Sequence, residues 1–449
     1  MKPATITVAV SGLLLTLSIG WILGPGAPWW LTHVDGVHGL QGDQLAAALD
    51  AIRGRALAVG TGLAALVAVF YTARNADTAR RTFQLGQRGH DTDRYGKAAE
   101  QLGHVQAPVR LAGLYALEQL AQNTPLLRQT IVDVICAYLR MPYHEPLPGD
   151  RHTRIRAAQR TARARVPAER PAGRDAREER EVRLTAQRIL ADHLRYREPP
   201  KTRWWRAADP DPRFWPGIRL DLTGAVLCDA NFVSCRIAEA TFTGATFNGD
   251  AKFGGVVFTG AAHFDTASFT GDAEFGEARF LGAAEFTSAT FRGAARFGGA
   301  AFERGANFGF ASFEGQAGFS EVVFGGHASF GIVNFGGNAR FTGAIFHGNA
   351  GFAAATFTGL SGFVEAAFHQ QAMFKGATFT SATSFDRATF DGPADFAYTH
   401  GAEHVRLHEA SVARPADTHR WPPGWRLESE PNGHAVLSAV GPGGSAYPR

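Results

Sequence analysis

The sequence predicts a parallel β-solenoid preceded by a helical region with two membrane-spanning segments. Three observations predict it. A phenylalanine returns at alternating intervals of five and six residues from about 242 to 396. A small residue stands two positions before almost every one of them. Two uncharged apolar runs fall within the first 75 residues.

The series runs Phe242, Phe247, Phe253, Phe258, Phe264, Phe269 and on in the same rhythm to Phe385, Phe390 and Phe396, with Ala245, Ala251, Val256, Ala262, Ala267 and Ala273 in the small positions. An eleven-residue period also suits a right-handed coiled coil. On a helix, however, Phe242 and Phe247 would stand about 140° apart, and no single apolar stripe would form. Gly two residues after most Phe, and β-branched or Ser residues before them, suit turns and strands instead. A small and a large residue two apart point to one side of a strand. Each unit is then a three-residue strand followed by a corner, and no unit buries its own Phe without a neighbouring coil. Each buried ring removes roughly 150–250 Å² from water, so the interior is packing and not a site.

These residues resemble the pentapeptide-repeat family. The plain five-residue form comes first, in Leu222, Leu227, Phe232, Ile237, Phe242 and Phe247, with Ala225, Ala230, Cys235, Ala240 and Ala245 in the small slots. The resemblance covers about 217–397 and implies a right-handed, four-sided parallel β-helix with both residue types turned inward. The departure is an extra residue in every second unit: Ala261, Asp272, Ala283, Ala294, Gln316, His327, Asn338, Asn349. Four sides per coil then give 20 residues in the first coil and 22 afterwards, about eight coils, and a rod roughly 40 Å long.

Residues 1–75 are expected to form a two-span membrane anchor. The run at 4–24 is long enough to cross a bilayer, exceeds a signal-peptide core, and is followed by a poor cleavage context; 56–73 is a shorter second span. Lys2 on one side and Arg74, Arg80, Arg81 and Arg88 on the other place both ends in the cytoplasm, with Arg53 and Arg55 arguing weakly against. Trp29 and Trp30 suit the outer interface, and Gly12, Thr16 and Gly20 are expected to pack on the stripe Ala56, Gly60, Ala64 and Ala68.

Residues 76–142 follow as a juxtamembrane stretch and a HEAT-like three-helix unit. Asp93 caps a helix ending at Gly103, Pro108 opens a second, and Thr124–Pro125 opens a third. With the two spans and the repeat, this unit resembles a type of bacterial membrane-anchored pentapeptide-repeat protein, which implies an architecture and no mechanism. Residues 143–200 are an Arg-rich linker and a helix from Leu184 to about 196, with 11 Arg between 151 and 185. Arg151, Arg154, Arg156, Arg160, Arg163 and Arg165 would make a basic patch for anionic lipid. Residues 201–216, with Trp204, Trp205, Phe214 and Trp215, read as an aromatic N-terminal cap. Residues 398–426, with Trp421 and Trp425, read as the C-terminal cap, and 427–449 as a flexible tail.

Net charge is +4, but the repeat holds 10 Lys/Arg against 16 Asp/Glu. Cys136, Cys228 and Cys235 form no disulfide framework or metal spacing and read as packed thiols. No phosphate loop, nucleophile elbow or zinc motif is present, so neither enzymatic activity nor a cofactor is expected. His400, His404 and His408 read as solvated cap residues, and His347 and His369 as neighbours on adjacent coils. Outward residues align in columns. One is a hydroxyl ladder from Thr246 to Thr378, and another holds Val257, Ala301, Val323, Ile345 and Ala367 as an apolar strip for a protein partner or self-association. The expected function is a non-enzymatic interaction or scaffold module, multi-pass in the cell membrane, with its β-helix in the cytoplasm and a partner of unspecified identity. The alternative is imitation of DNA, by which some soluble members of the family inhibit type II topoisomerases. An acidic excess so small, and a basic run without interleaved aromatics, disfavour both that role and nucleic-acid binding.

Overall fold

A computed structural model of the chain describes residues 3–143, 175–197, 211–413, 418–429 and 435–440. It divides into two compact units, Met1–Asp93 and Arg94–Arg449.

The first unit is helical: α1 (Pro3–Leu23), α2 (Gly26–His33) and most of α3 (Asp43–Gly103). Residues Asp43–Asp77 of α3 are long and apolar enough to cross a membrane, and none of that apolar window is buried. The chain turns by 80° between Gly12–Leu23 and Gly26–His33. Hydroxyls in the apolar helices turn back on their own backbone, Thr16 to the Gly12 carbonyl at 2.7 Å and Thr61 to the Leu57 carbonyl at 2.8 Å. Such bonds satisfy the hydroxyl within its own helix. The expected small-residue seam is only partly formed. A Cβ at Gly60 would stand 2.9 Å from Ile19 of α1, but Gly12 and Gly20 have nothing within 4 Å.

The second unit begins with the last turns of α3. Asp93 caps nothing, because the helix runs through it without a break. α4 (Ala107–Asn123) starts with Pro108 in its first turn, as expected, and a 3-10 turn at Pro125–Leu127 leads into α5 (Arg128–Arg140). α4 lies so close to α3 that a Cβ at Gly113 would meet Leu102 N at 2.8 Å. Its other side is covered by α6 (Ala176–Leu194), which starts earlier than expected on an Asp175 cap and makes the unit four helices rather than three.

Buried charge ties these helices together. Glu179 of α6 faces Arg110 of α4 at 3.1 Å and Arg183 at 3.2 Å, and accepts from Tyr138 of α5 at 2.8 Å. Arg183 also donates to the carbonyls of Leu139 and Met141 at 2.9 and 2.6 Å.

The repeat forms four parallel sheets, the sides of a coil, with strands mostly two residues long rather than three. Register matches the expected winding: Arg219 pairs with Glu239 20 residues on, and Ala262 with Ala284 22 residues on. The longest fully parallel sheet has nine strands, so the coil makes about nine turns rather than eight. Every regularly spaced Phe and nearly every small partner is buried. Phe286 stacks on Phe264 and Phe308 at 4.8 and 4.7 Å and meets Phe275 and Phe297 edge-on at 5.6 Å. Two small slots hold hydroxyls, and these pair with each other, Ser361 with Thr383 at 2.7 Å.

The five- and six-residue intervals turn corners differently. In the short interval after Phe286, the Ala289 N–H donates to the Phe286 carbonyl at 3.0 Å and Ser288 takes a φ of +57°. In the long interval the extra residue holds the next coil: Asp272 accepts from the Ala294 N–H at 2.9 Å, Asn338 from Leu360 at 3.0 Å, and His327 from Asn349 at 3.2 Å. The Ala294 amide, with Arg296 beside it, holds the Asp272 carboxyl below the ordinary carboxylate value. Gly beside these residues permits close stacking, since a Cβ at Gly337 would collide with the Gly315 carbonyl oxygen. Gly337→Ala is expected to destabilise the coil by about 1–3 kcal/mol. Gly254→Ala, whose Cβ has its nearest neighbour at 3.8 Å, should be near neutral, and urea titration of the two variants checks the difference.

Both ends of the coil are closed. At the N-terminal end two glutamines stand in for a missing strand. Gln129 donates to the Arg219 carbonyl and accepts from its N–H at 2.9 and 3.0 Å, and Gln187 does the same for Cys228 at 3.0 and 3.1 Å. The Tyr196 N–H donates to the Ser234 carbonyl at 2.9 Å. Helices α5 and α6 therefore form the cap, satisfying edges that would otherwise template aggregation. Of the expected aromatic cap, Trp215 is fully buried, stacked on His193 at 3.9 Å and bonded to Gln122 at 3.0 Å; Trp204 and Trp205 lie outside the described residues. At the other end Trp421 covers Phe390 and Phe396 at 5.3 and 5.9 Å. The expected flexible tail from 427 begins instead as an antiparallel pair, Trp425–Ser429 with Ala435–Ala439, added to the strand Ser411–Val412.

Candidate interaction surface

The coil's outer side chains stand in rows one coil apart, so the site question concerns surfaces. The apolar strip aligns as expected: Val257, Arg279, Ala301, Val323, Ile345 and Ala367 are successive partners in one sheet. Its apolar members are only half-buried, each hemmed in by the strands on either side, so the strip offers less area than separate exposed residues would. Thr246, Ser268, Thr290, Ser312, Asn334, Thr356 and Thr378 likewise form one register column. Among the described residues no hydrogen bond joins successive hydroxyls of that column. Backbone bonds and ring stacking hold the coils there. The basic patch from Arg151 to Arg165 lies outside the described residues.

His347 and His369 do stack, at 4.9 Å, and His369 contacts Asp391 at 2.6 Å. His400, His404 and His408 share no helix, since a 3-10 turn ends at His404 and a strand follows. Among the described residues no group of three or more His, Cys, Asp or Glu is arranged to hold a metal ion. The three cysteines are buried and free, and burial pushes the thiols of Cys136 and Cys235 up to about 12. Thiols so protonated are poor nucleophiles. Surface carboxylates pair between coils: Arg279 with Glu303 at 2.8 Å, Arg296 with Asp272 at 2.8 Å, Arg387 with Glu365 at 2.6 Å.

Four large apolar residues of the coil stand exposed, Phe310, Ile332, Leu360 and Tyr398, and sequence reasoning passes over them. Phe310 and Ile332 are 61% and 55% exposed on adjacent coils of one corner, with φ of +60° and +58°. A β-branched residue in the left-handed region is an outlier costing on the order of 1–2 kcal/mol. The available signal is spacing. Phe310 falls only two residues after Phe308 and outside the five–six rhythm.

Family models described as pentapeptide repeats match residues 219–249, 264–312 and 311–356. The array is a pentapeptide-repeat β-helix. No curated protein and no solved structure matches the chain. In this pentapeptide-repeat coil the 22-residue winding keeps a ring or a small residue in the inward slots and places most of the variation along the chain at corners and outward positions.

Proposed function

We propose that the chain is a non-enzymatic interaction or scaffold module anchored in a membrane by its N-terminal helices, with the pentapeptide-repeat coil presented on the cytoplasmic side. The observation that carries the anchor is α3, whose Asp43–Asp77 segment leaves its apolar surface uncovered, with Leu57, Val59, Leu66, Val69 and Phe70 each more than half exposed. A bilayer covers such a surface. Trp29 and Trp30 on the bent helix α2 suit the outer interface, and the Arg residues after the second crossing suit the cytoplasmic one. The scaffold reading is supported by titratable groups that pair along the coil axis instead of converging in a pocket, whereas catalysis needs convergence. The same pairing weakens the DNA-imitating alternative, which needs unpaired negative charge.

Proximity labelling from intact membranes tests the module. The full chain is expected to return a defined set of neighbouring proteins. The charged variant Val323→Asp/Ile345→Asp asks whether the half-buried strip contributes. A neighbour set indistinguishable from that of an unrelated membrane protein would contradict the proposal.

A further inference from the structure

We propose that the corner bearing Phe310 and Ile332 is the contact of an antiparallel dimer of this chain, two rods lying side by side about a two-fold axis that passes between those two residues. The corner residues of the six coils about that axis are Thr266, Ser288, Phe310, Ile332, Ala354 and Gly376, and the row continues to Gly244 at one end and Tyr398 at the other. Each coil is joined to the next there by a backbone bond, as from Phe310 N–H to the Gly331 carbonyl at 3.0 Å and from Ile332 N–H to Ala353 at 2.9 Å. The residue before each forms a second row: Asp265, Thr287, Gly309, Gly331, Ala353 and Lys375.

Reversing one copy about that axis sets Phe310 on the partner's Ile332 and Ser288 on the partner's Ala354. It also sets Asp265 against the partner's Lys375, and the symmetry makes each contact twice. A two-fold interface must be complementary to itself, and these rows are: apolar at the centre, small beside it, opposite in charge at the two ends. The central coils carry no charge on the near side of the corner, where Asn307, Ser329 and Gly351 stand, and Ser312, Asn334 and Thr356 stand on the far side. Like surfaces therefore meet without like charge. Six coils at about 4.8 Å make a contact roughly 29 Å long. Among the described residues the Asp265 carboxylate pairs with His263 alone, at 3.7 Å, and the Lys375 ammonium lies over the Tyr398 ring at 5.7 Å with no carboxylate beside it, so both charges can meet a second copy. Phe310 and Ile332 hold a backbone conformation that Gly376 fills more easily in the same row, which fits retention of their side chains for contact. This inference goes beyond the scaffold reading and does not depend on any other protein.

Sedimentation equilibrium of the full chain in density-matched detergent tests it. The wild type is expected to dimerise. Asp265→Lys and Lys375→Asp should each weaken the dimer about tenfold, since two symmetric pairs turn repulsive. The double variant Asp265→Lys/Lys375→Asp should restore it, because the pairs re-form with their signs exchanged. Phe310→Gly/Ile332→Gly should abolish it without lowering the thermal midpoint of the monomer, as glycine suits the positive φ. A wild type that stays monomeric overturns the proposal, as does a dimer indifferent to the single reversals or a double variant no tighter than the singles. Dimerisation through the apolar helices alone would give the indifferent result. Failure to find partner proteins by proximity labelling leaves these outcomes unchanged, so the two readings fail separately.

Discussion

Phe297→Ala is expected to destabilise the coil by about 3–5 kcal/mol, whereas Phe310→Ala, in dilute protein, should change stability by less than about 0.5 kcal/mol. The residues are of one type, 13 positions apart, and differ in what surrounds them. Phe297 is fully buried, stacked between Phe275 and Phe319 at 4.8 and 4.9 Å and met edge-on by Phe286 and Phe308 at 5.6 and 5.4 Å. Its removal leaves a ring-sized void in a column held by β-sheet pairing above and below. A solenoid is a chain of nearest-neighbour contacts, so one weakened coil also lowers the cooperativity between its two sides. Urea unfolding of the full chain in detergent, followed by far-ultraviolet circular dichroism, should show a lower midpoint and a broader transition. Equal effects of the two substitutions would contradict the inward and outward assignment.

Glu179→Ala should be as damaging at the cap, by about 3–5 kcal/mol, because it leaves Arg110 and Arg183 buried without their carboxylate. The consequence reaches beyond the helices. α6 carries Gln187, whose amide closes the Cys228 edge, and α5 adjoins the Arg219 edge closed by Gln129. Loss of packing at Glu179 should therefore expose two sheet edges and promote aggregation. Hydrogen exchange measures this directly, with faster exchange at the Cys228 and Arg219 amides and unchanged protection near Phe297. Protection unchanged at all three sites would show that the cap stands without the buried triad.

Much of the coil is legible in the sequence because inward slots tolerate little variation. Phe and Ala recur where only a ring and a methyl fit, and counting them yields the 22-residue register that Ala262 and Ala284 display. The extra residues are legible as a period, but their work is not. That Asp272 and Asn338 accept the next coil's amide depends on corner geometry. Phe310 and Ile332 are missed because a pattern built on inward phenylalanines has no place for one turned outward. The first turns of helix α6, before Leu184, are read as linker because the partners of Glu179 there, Arg110 and Tyr138, lie 69 and 41 residues away in sequence, beyond any local periodicity. The strands at Trp425–Ser429 and Ala435–Ala439 are missed because Gly, Pro and Ser around them outweigh two short alternating runs. At the first span, Gly12 and Gly20 suggest a seam, yet α1 meets Gly60 through Ile19.

The proposed function tethers the pentapeptide-repeat coil to the cytoplasmic face of a membrane. Alkaline carbonate extraction of membranes holding the full chain, with protease added to sealed right-side-out and inverted vesicles, tests it most directly. The account predicts that the chain stays with the membrane pellet, and that the protease reaches the Arg-rich segment at 151–165 only in inverted vesicles. Release of the chain into the supernatant, or cleavage there in right-side-out vesicles, would contradict it.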